Sequence, residues 1–510
     1  MVQIKTGIKI LSTKNILLFA ILTTIVLFVI DLLIYGPGIS GDTAGYLSLA
    51  GEVYKGKTPF SPSYLPGFPL IVGLTAKLTS LKIVQAASFW IGIFYILNLI
   101  YIGKTTSYLN KTAKITTIGS YFLFFVLISW WSFRIQKATH ADTMYFSLLI
   151  ILTHYLIKAF QENKSKYFLI TGFVLAIMAV TKYNSYVLLL ILGLVIMIRK
   201  IDFKTKINFL IFSLVPAFIM IFIWKIINGR VIYALELNNY ENSRNSSQEI
   251  LDTFYLNISQ TGKELIETFF NPILGRYLNL DSGFFIGFSL IVFLFLALYK
   301  FRKSEQERMF LLFALVYLIS VIVIQSLNKV AEINIRTLIT FNLFLFLFVG
   351  IYILKSNLKI LGSILFILLF TNNVLVEMKW LTATSKNNSF KYEYTKNNQF
   401  VITDTSFIKS IEDKEVVSNV AESIMFHLNY QKHINKFNAN RIFRKGKFLA
   451  ITPEILKHIS EKLRLVIEKG GIVIFSNQMT INDKKIYNNL VAHKYYSKKH
   501  NDLVVLSKVN

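Results

Sequence analysis

A chain of 510 residues with 54% hydrophobic and 16% charged positions carries more apolar surface than a water-soluble core can bury, which excludes a purely soluble globular protein. Its formal charge of +27 does not signal nucleic acid, because Lys and Arg are scattered between apolar runs rather than gathered on one face or in a nucleic-acid-binding module. Cysteine is absent, so disulfides and thiolate metal sites are excluded.

The chain opens with Lys5, Lys9 and Lys14 ahead of an apolar run near 15–36. That run is too long for the core of a cleaved signal and has no clear small-residue cleavage site, so it reads as a retained first span. Further runs near 82–103, 115–133, 142–158, 167–181, 183–198, 207–227, 284–299, 309–327, 337–354 and 360–377 each suit a crossing, which makes about eleven transmembrane helices. The pair between Lys166 and Arg199 is shorter than the roughly 20 residues a bilayer core asks for.

Short basic loops carry Lys104, Lys111 and Lys114, then Lys158, Lys164 and Lys166, then Arg199, Lys200, Lys204 and Lys206, then Lys300, Arg302, Lys303 and Arg308, then Lys355 and Lys359. All fall on the side of the basic N-terminus, which the positive-inside rule makes the cytoplasm. The opposite face then receives loops 37–80 and 228–283, short connections around 134–141 and 328–336, and the C-terminal tail. Lysines in the tail do not oppose this, since long domains translocate largely regardless of charge. The sequence therefore divides into a membrane domain, 1–378, and an extracytoplasmic domain, 379–510. In the tail, FLAI at 448–451, a helix over 453–469, GIVIFS at 471–476 and LVVLS at 503–507 predict a small α/β domain.

Charges at membrane depth are costly and mark candidate function. Asp42, in GPGISGDTAGYLSLA, follows the first span, where a carboxylate can take a proton from a hydroxyl. Alternatively it caps the helical stretch in which Tyr46, Leu49, Ala50 and Val53 share a face. The next stretch, SPSYLPGFPLIVGL, clusters Pro62, Pro66 and Pro69 with Gly67 and predicts an irregular lead-in to a half-span. Asp142, in RIQKATHADTMYF, lies at an outer edge beside Arg134, Lys137 and His140 and suits either a polar-substrate edge or a helix cap. Lys182, in AVTKYNSYV, could hold a phosphate as a point charge or snorkel to headgroups. Arg336, in EINIRTLITF, opens a span with the bidentate geometry that phosphate favours. The loop stretch ELNNYENSRNSSQEILDTFY reads as a solvated surface loop, or a lid. No Asp, Glu and His set shows metal-ligand spacing, and an essential metal is not expected.

Taken together, GDTAGYLSLA, YLPGFPLIVGL, THADTMYFSLL, GFVLAIMAVTKYNSYVLLL and NIRTLITF, in that order, resemble the GT-C-fold membrane glycosyltransferases, the group that holds the protein O-mannosyltransferases and the aminoarabinose transferases acting on lipid A. The likeness spans most of 15–345. It implies an α-helical polytopic fold and transfer of a sugar from a polyprenyl-phosphate donor, without an essential cofactor, to a glycan, lipid or protein acceptor. It further implies that Asp42 is the general base or its close partner, that Asp142 orients donor or acceptor, and that Lys182 and Arg336 face the donor phosphate. Tyr46, Tyr64, His140 and Arg134 are then expected along the donor and acceptor cavity. Single carboxylates stand where an acidic pair is common in the family. Trp130 and Trp131 do not continue into the acceptor motif of oligosaccharyltransferases.

Two other classes stay open: a flippase for a lipid-linked glycan, and an inactive membrane anchor whose tail binds a partner. The flippase predicts deep intramembrane charges and internal repeats, and the sequence shows neither.

Overall fold

The computed structural model describes residues 22–30, 41–59, 64–113, 136, 139–198, 201–235, 247–269, 278–300, 305–327, 333–355 and 368–378, apart from single positions among them, and most of 411–508. The chain divides into two compact units, one of Met1–Ile34 with Ile91–Ala383 and one of Tyr35–Trp90 with Thr384–Asn510.

The first unit is helical. Its described helices include α3 (Ile83–Ala113, from Ile91 onward), α4 (Ala141–Glu162), α5 (Ser165–Ala179), α6 (Asn184–Ile198), α7 (Phe203–Phe209), α8 (Val215–Leu235), α9 (Ser247–Phe269), α10 (Leu280–Lys300), α11 (Glu305–Leu327) and α12 (Ile339–Lys355). Among the described residues five stretches are long and apolar enough to cross a membrane: Ile83–Leu109, Ala141–Glu162, Phe203–Ile227, Leu280–Lys300 and Arg308–Leu327. Gly67–Thr79, Ser165–Ala179, Asn184–Met197 and Ile339–Val349 are shorter apolar helices. The chain is an integral membrane protein. The run at 115–133 lies outside the described residues, as do most of those at 15–36 and 360–377.

Helix α10 shows why lipid is the solvent. It buries only Gly283, Gly287, Leu294 and Ala297, while Phe285, Phe288, Phe293, Phe295 and Leu296 are exposed. Such a surface is stable only against acyl chains, and a helix can present it because its backbone hydrogen bonds are internal. Helix α4 is the opposite case. It is buried on nearly every side and carries Asp142, Thr143, Ser147, Thr153 and His154 inward.

Loop 228–283 departs from expectation. Within it α8 continues to Leu235, and α9 fills Ser247–Phe269. Polar composition hid α9, but its apolar positions recur at helical spacing, and Asn257, Ser259 and Thr261 are buried. It packs closely on α10, where a Cβ on Gly262 would collide with the carbonyl of Gly283 and approach Gly287 N to 2.7 Å. A five-residue π-helical turn, Leu210–Leu214, separates α7 from α8 and presents Ser213, whose hydroxyl donates to Phe168 O at 2.9 Å.

The second unit includes α1 (Gly41–Tyr54) and α2 (Gly67–Thr79), which pack on each other. Pro66 occupies the N-cap of α2, and Pro69 falls in the first turn, where a missing N–H removes no helical bond. The half-span expected after the proline cluster is thus a 13-residue helix. Gly73 permits the α1–α2 approach, since a Cβ there would lie 2.5 Å from Ala50 O and 2.6 Å from Val53 Cβ.

The tail forms the predicted α/β fold. Strands β1 (Val416–Ser418), β2 (Asn435–Lys436), β5 (Ile472–Ser476), β6 (Tyr496–His500) and β7 (Leu503–Ser507) make a sheet of order β2-β1-β5-β7-β6, with β3 (Ile442–Arg444) and β4 (Lys447–Leu449) as a separate hairpin. β1 pairs in parallel with β2 and β5, whereas β7 is antiparallel to β5 and β6. Central β5 is buried along its whole length, which explains its unbroken apolar run. Helix α13 (Pro453–Glu468) starts at a Thr452 cap with Pro453 in its first turn, and α14 (Ile481–Val491) starts at a Thr480–Asp483 capping box. Leu456, Leu463 and Ile467 of α13 join Ile486 and Leu490 of α14 on Val473, Phe475, Val504 and Leu506.

Candidate functional site

The N-terminus of α4 carries the charged centre of the first unit. His140 is extended (φ −148°, ψ 177°), and its Nδ1 accepts the N–H of Asp142 at 3.2 Å. His140, not Asp142, therefore caps α4, which corrects the capping alternative for Asp142. Asp142 sits one residue inside the helix, where the macrodipole favours a negative charge. Its side chain is only 1% exposed.

Two cations reach that carboxylate from distant segments. Lys182, in the turn between α5 and α6, donates to Asp142 Oδ1, and Arg336 donates through Nε to Oδ2 at 2.5 Å. Lys182 also donates to the backbone carbonyl of Arg336 at 3.1 Å, which ties the two turns together. His140 Nδ1 lies 3.2 Å from Asp142 Oδ2 as well. One nitrogen cannot both accept the cap and donate to the carboxylate, so in the capped arrangement His140 is neutral with its proton on Nε2.

Each cation is held by local backbone chemistry. The Lys182 turn is pinned where Lys182 N donates to Met178 O at 3.1 Å and Ser185 Oγ donates to the same oxygen at 2.7 Å. Asn334 Oδ1 accepts from Arg336 N at 3.1 Å and Thr337 N at 3.2 Å, a side-chain-mimicked turn that fixes Arg336 just before α12. Beneath them Lys182 Nζ stands 5.6 Å from the Tyr145 ring centroid, and the Tyr145 hydroxyl is 2.7 Å from Thr340 Oγ1. Tyr317 donates to Thr337 O at 3.1 Å and accepts from Asn184 Nδ2 at 3.3 Å.

Exposure grades outward, from 1% at Asp142 through 13% at Lys182 to 35% at Arg336. The buried carboxylate holds an ammonium and a guanidinium in a fixed place, and the guanidinium is the most exposed of the three groups. That arrangement suits an anion with several oxygens, such as a phosphate.

Of the predicted residues, Asp142, His140, Lys182 and Arg336 come together here. Tyr46 and Tyr64 come together in the second unit, with ring centroids 4.6 Å apart at 61°, and Tyr46 also meets Phe68 edge-on at 6.2 Å. Gly45 makes room for Tyr64, whose ring a Cβ there would collide with. Asp42 lies in the first turn of α1, and its side chain, like Arg134, is outside the described residues. Among the described residues no group of three or more His, Cys, Asp or Glu could hold a metal ion.

Reading the sequence missed Tyr145, Tyr317, Thr340 and Asn334, whereas Asn184 stands out in it as a donor neighbouring Lys182. Tyr145 lies three residues after Asp142 on α4, and that spacing is the signal that marks a shared helix face.

No protein-family model matches the chain, and no curated protein matches it. Solved structures do. The crystal structure of ArnT from Cupriavidus metallidurans bound to undecaprenyl phosphate aligns with a TM-score of 0.56 at 11% identity, over 98% of this chain and 99% of that one. The apo-state crystal structure of that protein aligns with a TM-score of 0.43 at 10% identity, over 97% and 98% of the two chains. The chain thus has the fold of an aminoarabinose transferase, a GT-C fold, along essentially its whole length.

Proposed function

We propose that this protein is a membrane glycosyltransferase that moves a sugar from a polyprenyl-phosphate donor to an acceptor on the extracytoplasmic face, with inversion at the anomeric carbon. The observation that carries the reading is the Asp142–Lys182–Arg336 cluster, a pair of cations fixed on one buried carboxylate at a helix end. The fold agrees, since the aligned ArnT structure is bound to undecaprenyl phosphate.

In this reading Lys182 and Arg336 hold the donor phosphate, and Asp142 orients them by fixing both head groups. Asp42 takes the proton from the acceptor hydroxyl or amine as its oxygen or nitrogen attacks the anomeric carbon. The bond from that carbon to the phosphate oxygen breaks, and polyprenyl phosphate leaves with its new charge stabilised by the two cations. A single displacement by one activated nucleophile inverts the centre, by the logic that separates inverting from retaining hydrolases. Tyr46, Tyr64, His140 and Arg134 belong to the donor and acceptor cavity in this account. Residues 1–378 form the transferase domain in a plasma or inner membrane with a cytoplasmic N-terminus, and 379–510 form the extracytoplasmic domain.

Arg336→Lys tests the phosphate assignment. Lysine keeps the charge but loses the planar fork, so transfer of labelled sugar from polyprenyl-phosphate donors should fall about tenfold or more, chiefly through a raised KM for donor. Unchanged donor KM in a normally folded variant refutes the assignment.

A further inference from the structure

At the other end of α4, about 24 Å along its axis from Asp142, a second cluster has no part in the reading above. Lys158 Nζ stands 5.2 Å from the ring centroids of both Tyr108 and Tyr167. Lys104 Nζ is 4.9 Å over Tyr101, and Lys166 Nζ is 5.0 Å over Tyr167. The hydroxyls of Tyr101 and Tyr155 are 3.3 Å apart. Beneath them His154 is buried, with its Nδ1 3.1 Å from Thr105 Oγ1 and its ring edge-on to Tyr101 and Tyr155.

The charges here do not balance. Among the described residues the carboxylate of this cluster is Glu162, and it pairs with Lys164 at 2.9 Å. Lys104, Lys158 and Lys166 have no ion-pair partner among the described residues. Aromatic faces attract and position ammonium groups without neutralising them. Three cations are therefore held ready on rings fixed by three helices, α3, α4 and α5.

What lies next to them indicates the ligand. On α3, Ile100 and Ile96 stand four and eight residues before Lys104, on its face, and are 43% and 56% exposed. On α5, Leu169 and Phe173 stand three and seven residues after Lys166, again on its face, and are 56% and 66% exposed. α3 ends and α5 begins at this end of α4, so both lysines head acyl-facing stripes. A free phosphate has no use for such stripes.

We infer that this cluster binds one anionic phospholipid, its phosphodiester held by Lys104, Lys158 and Lys166 and its acyl chains lying along Ile96–Ile100 and Leu169–Phe173. Basic pockets between transmembrane helices recognise anionic headgroups in this way. The site is independent of the glycosyl-transfer reading.

The test is native mass spectrometry of the full chain in detergent, titrated with phosphatidylglycerol or phosphatidylcholine of matched chains. One phosphatidylglycerol should bind in preference to phosphatidylcholine, and affinity should fall about fivefold for each lysine changed to Gln, about a hundredfold for Lys104→Gln/Lys158→Gln/Lys166→Gln. The matching Lys→Arg variants should bind as the natural chain does. The single Gln variants carry the test if the triple one does not fold. Equal binding of the two lipids, or undiminished phosphatidylglycerol binding by the folded Gln variants, overturns the site. Displacement of the lipid by millimolar inorganic phosphate also overturns it, in favour of a soluble anion.

Discussion

Lys182 donates to the backbone carbonyl of Arg336 at 3.1 Å while its ammonium also holds Asp142, so the two cationic turns are joined twice, once directly and once through a shared carboxylate. Removing the carboxylate charge leaves two buried or half-buried cations facing each other. Asp142→Asn should therefore cost about 3–5 kcal/mol of stability, the range for breaking a buried pair by removing one member. Lys182→Met should cost less when Asp142 is already Asn than when it is Asp. A thermal-unfolding double-mutant cycle measures this coupling, and additive losses would show that the two residues do not act as a unit.

Asn342 is fully buried in α12, and neither atom of its amide has a hydrogen-bond partner among the described residues. A buried polar group left unsatisfied costs roughly 1–3 kcal/mol. Asn342→Leu, close in volume and apolar, should raise the unfolding midpoint. A lower midpoint would mean that the amide has a partner in the working protein.

The approach of α1 and α2 depends on Gly73, where a Cβ would fall 2.5 Å from Ala50 O. Gly73→Ala must push the helices apart and should destabilise by about 1–3 kcal/mol, as overpacking does. Tryptic cleavage after Lys55 or Lys57, in the link between the two helices, should then be faster than in the natural chain.

Asp202 caps α7, accepting from Thr205 N at 2.8 Å and Thr205 Oγ1 at 2.6 Å. These bonds, the hydroxyl's first, hold its carboxyl below the usual carboxylate range. A depressed pKa in the fold means that the stabilisation is present above the unfolded pKa and is lost as pH falls through the folded one. Amide exchange at the start of α7, corrected for intrinsic rates, should quicken across that acid window. Asp202→Asn should abolish the acid step, and persistence of the step in that variant would assign it elsewhere.

Spans such as 142–158, 284–299 and 309–327 were legible because apolar length has one physical meaning in a bilayer, and the tail because Thr452-Pro453 and the β5 run are local signals. Helix α9 was not, since Asn and Ser mask a helical period that only packing on Gly283 and Gly287 makes stable. At the candidate site Asp142, Lys182 and Arg336 each stood out as a charge at a helix end. Their union did not, because Arg336 reaches Asp142 across 194 residues and nothing local encodes such a contact. His140 was noticed as a neighbour but not as the cap, a role that more often falls to Ser, Thr, Asp or Asn.

Glycosyl transfer with Asp42 as base is the central claim, and labelled-sugar transfer tests it most directly. Membranes holding equal amounts of the natural chain or Asp42→Asn would be given polyprenyl-phosphate-linked sugars and cell-envelope acceptors. The account predicts transfer by the natural chain and a loss of at least a hundredfold with Asp42→Asn, in the range for removing a general base. Equal transfer by both would contradict the assignment of Asp42, and no transfer by the natural chain to any acceptor would contradict the glycosyltransferase reading itself.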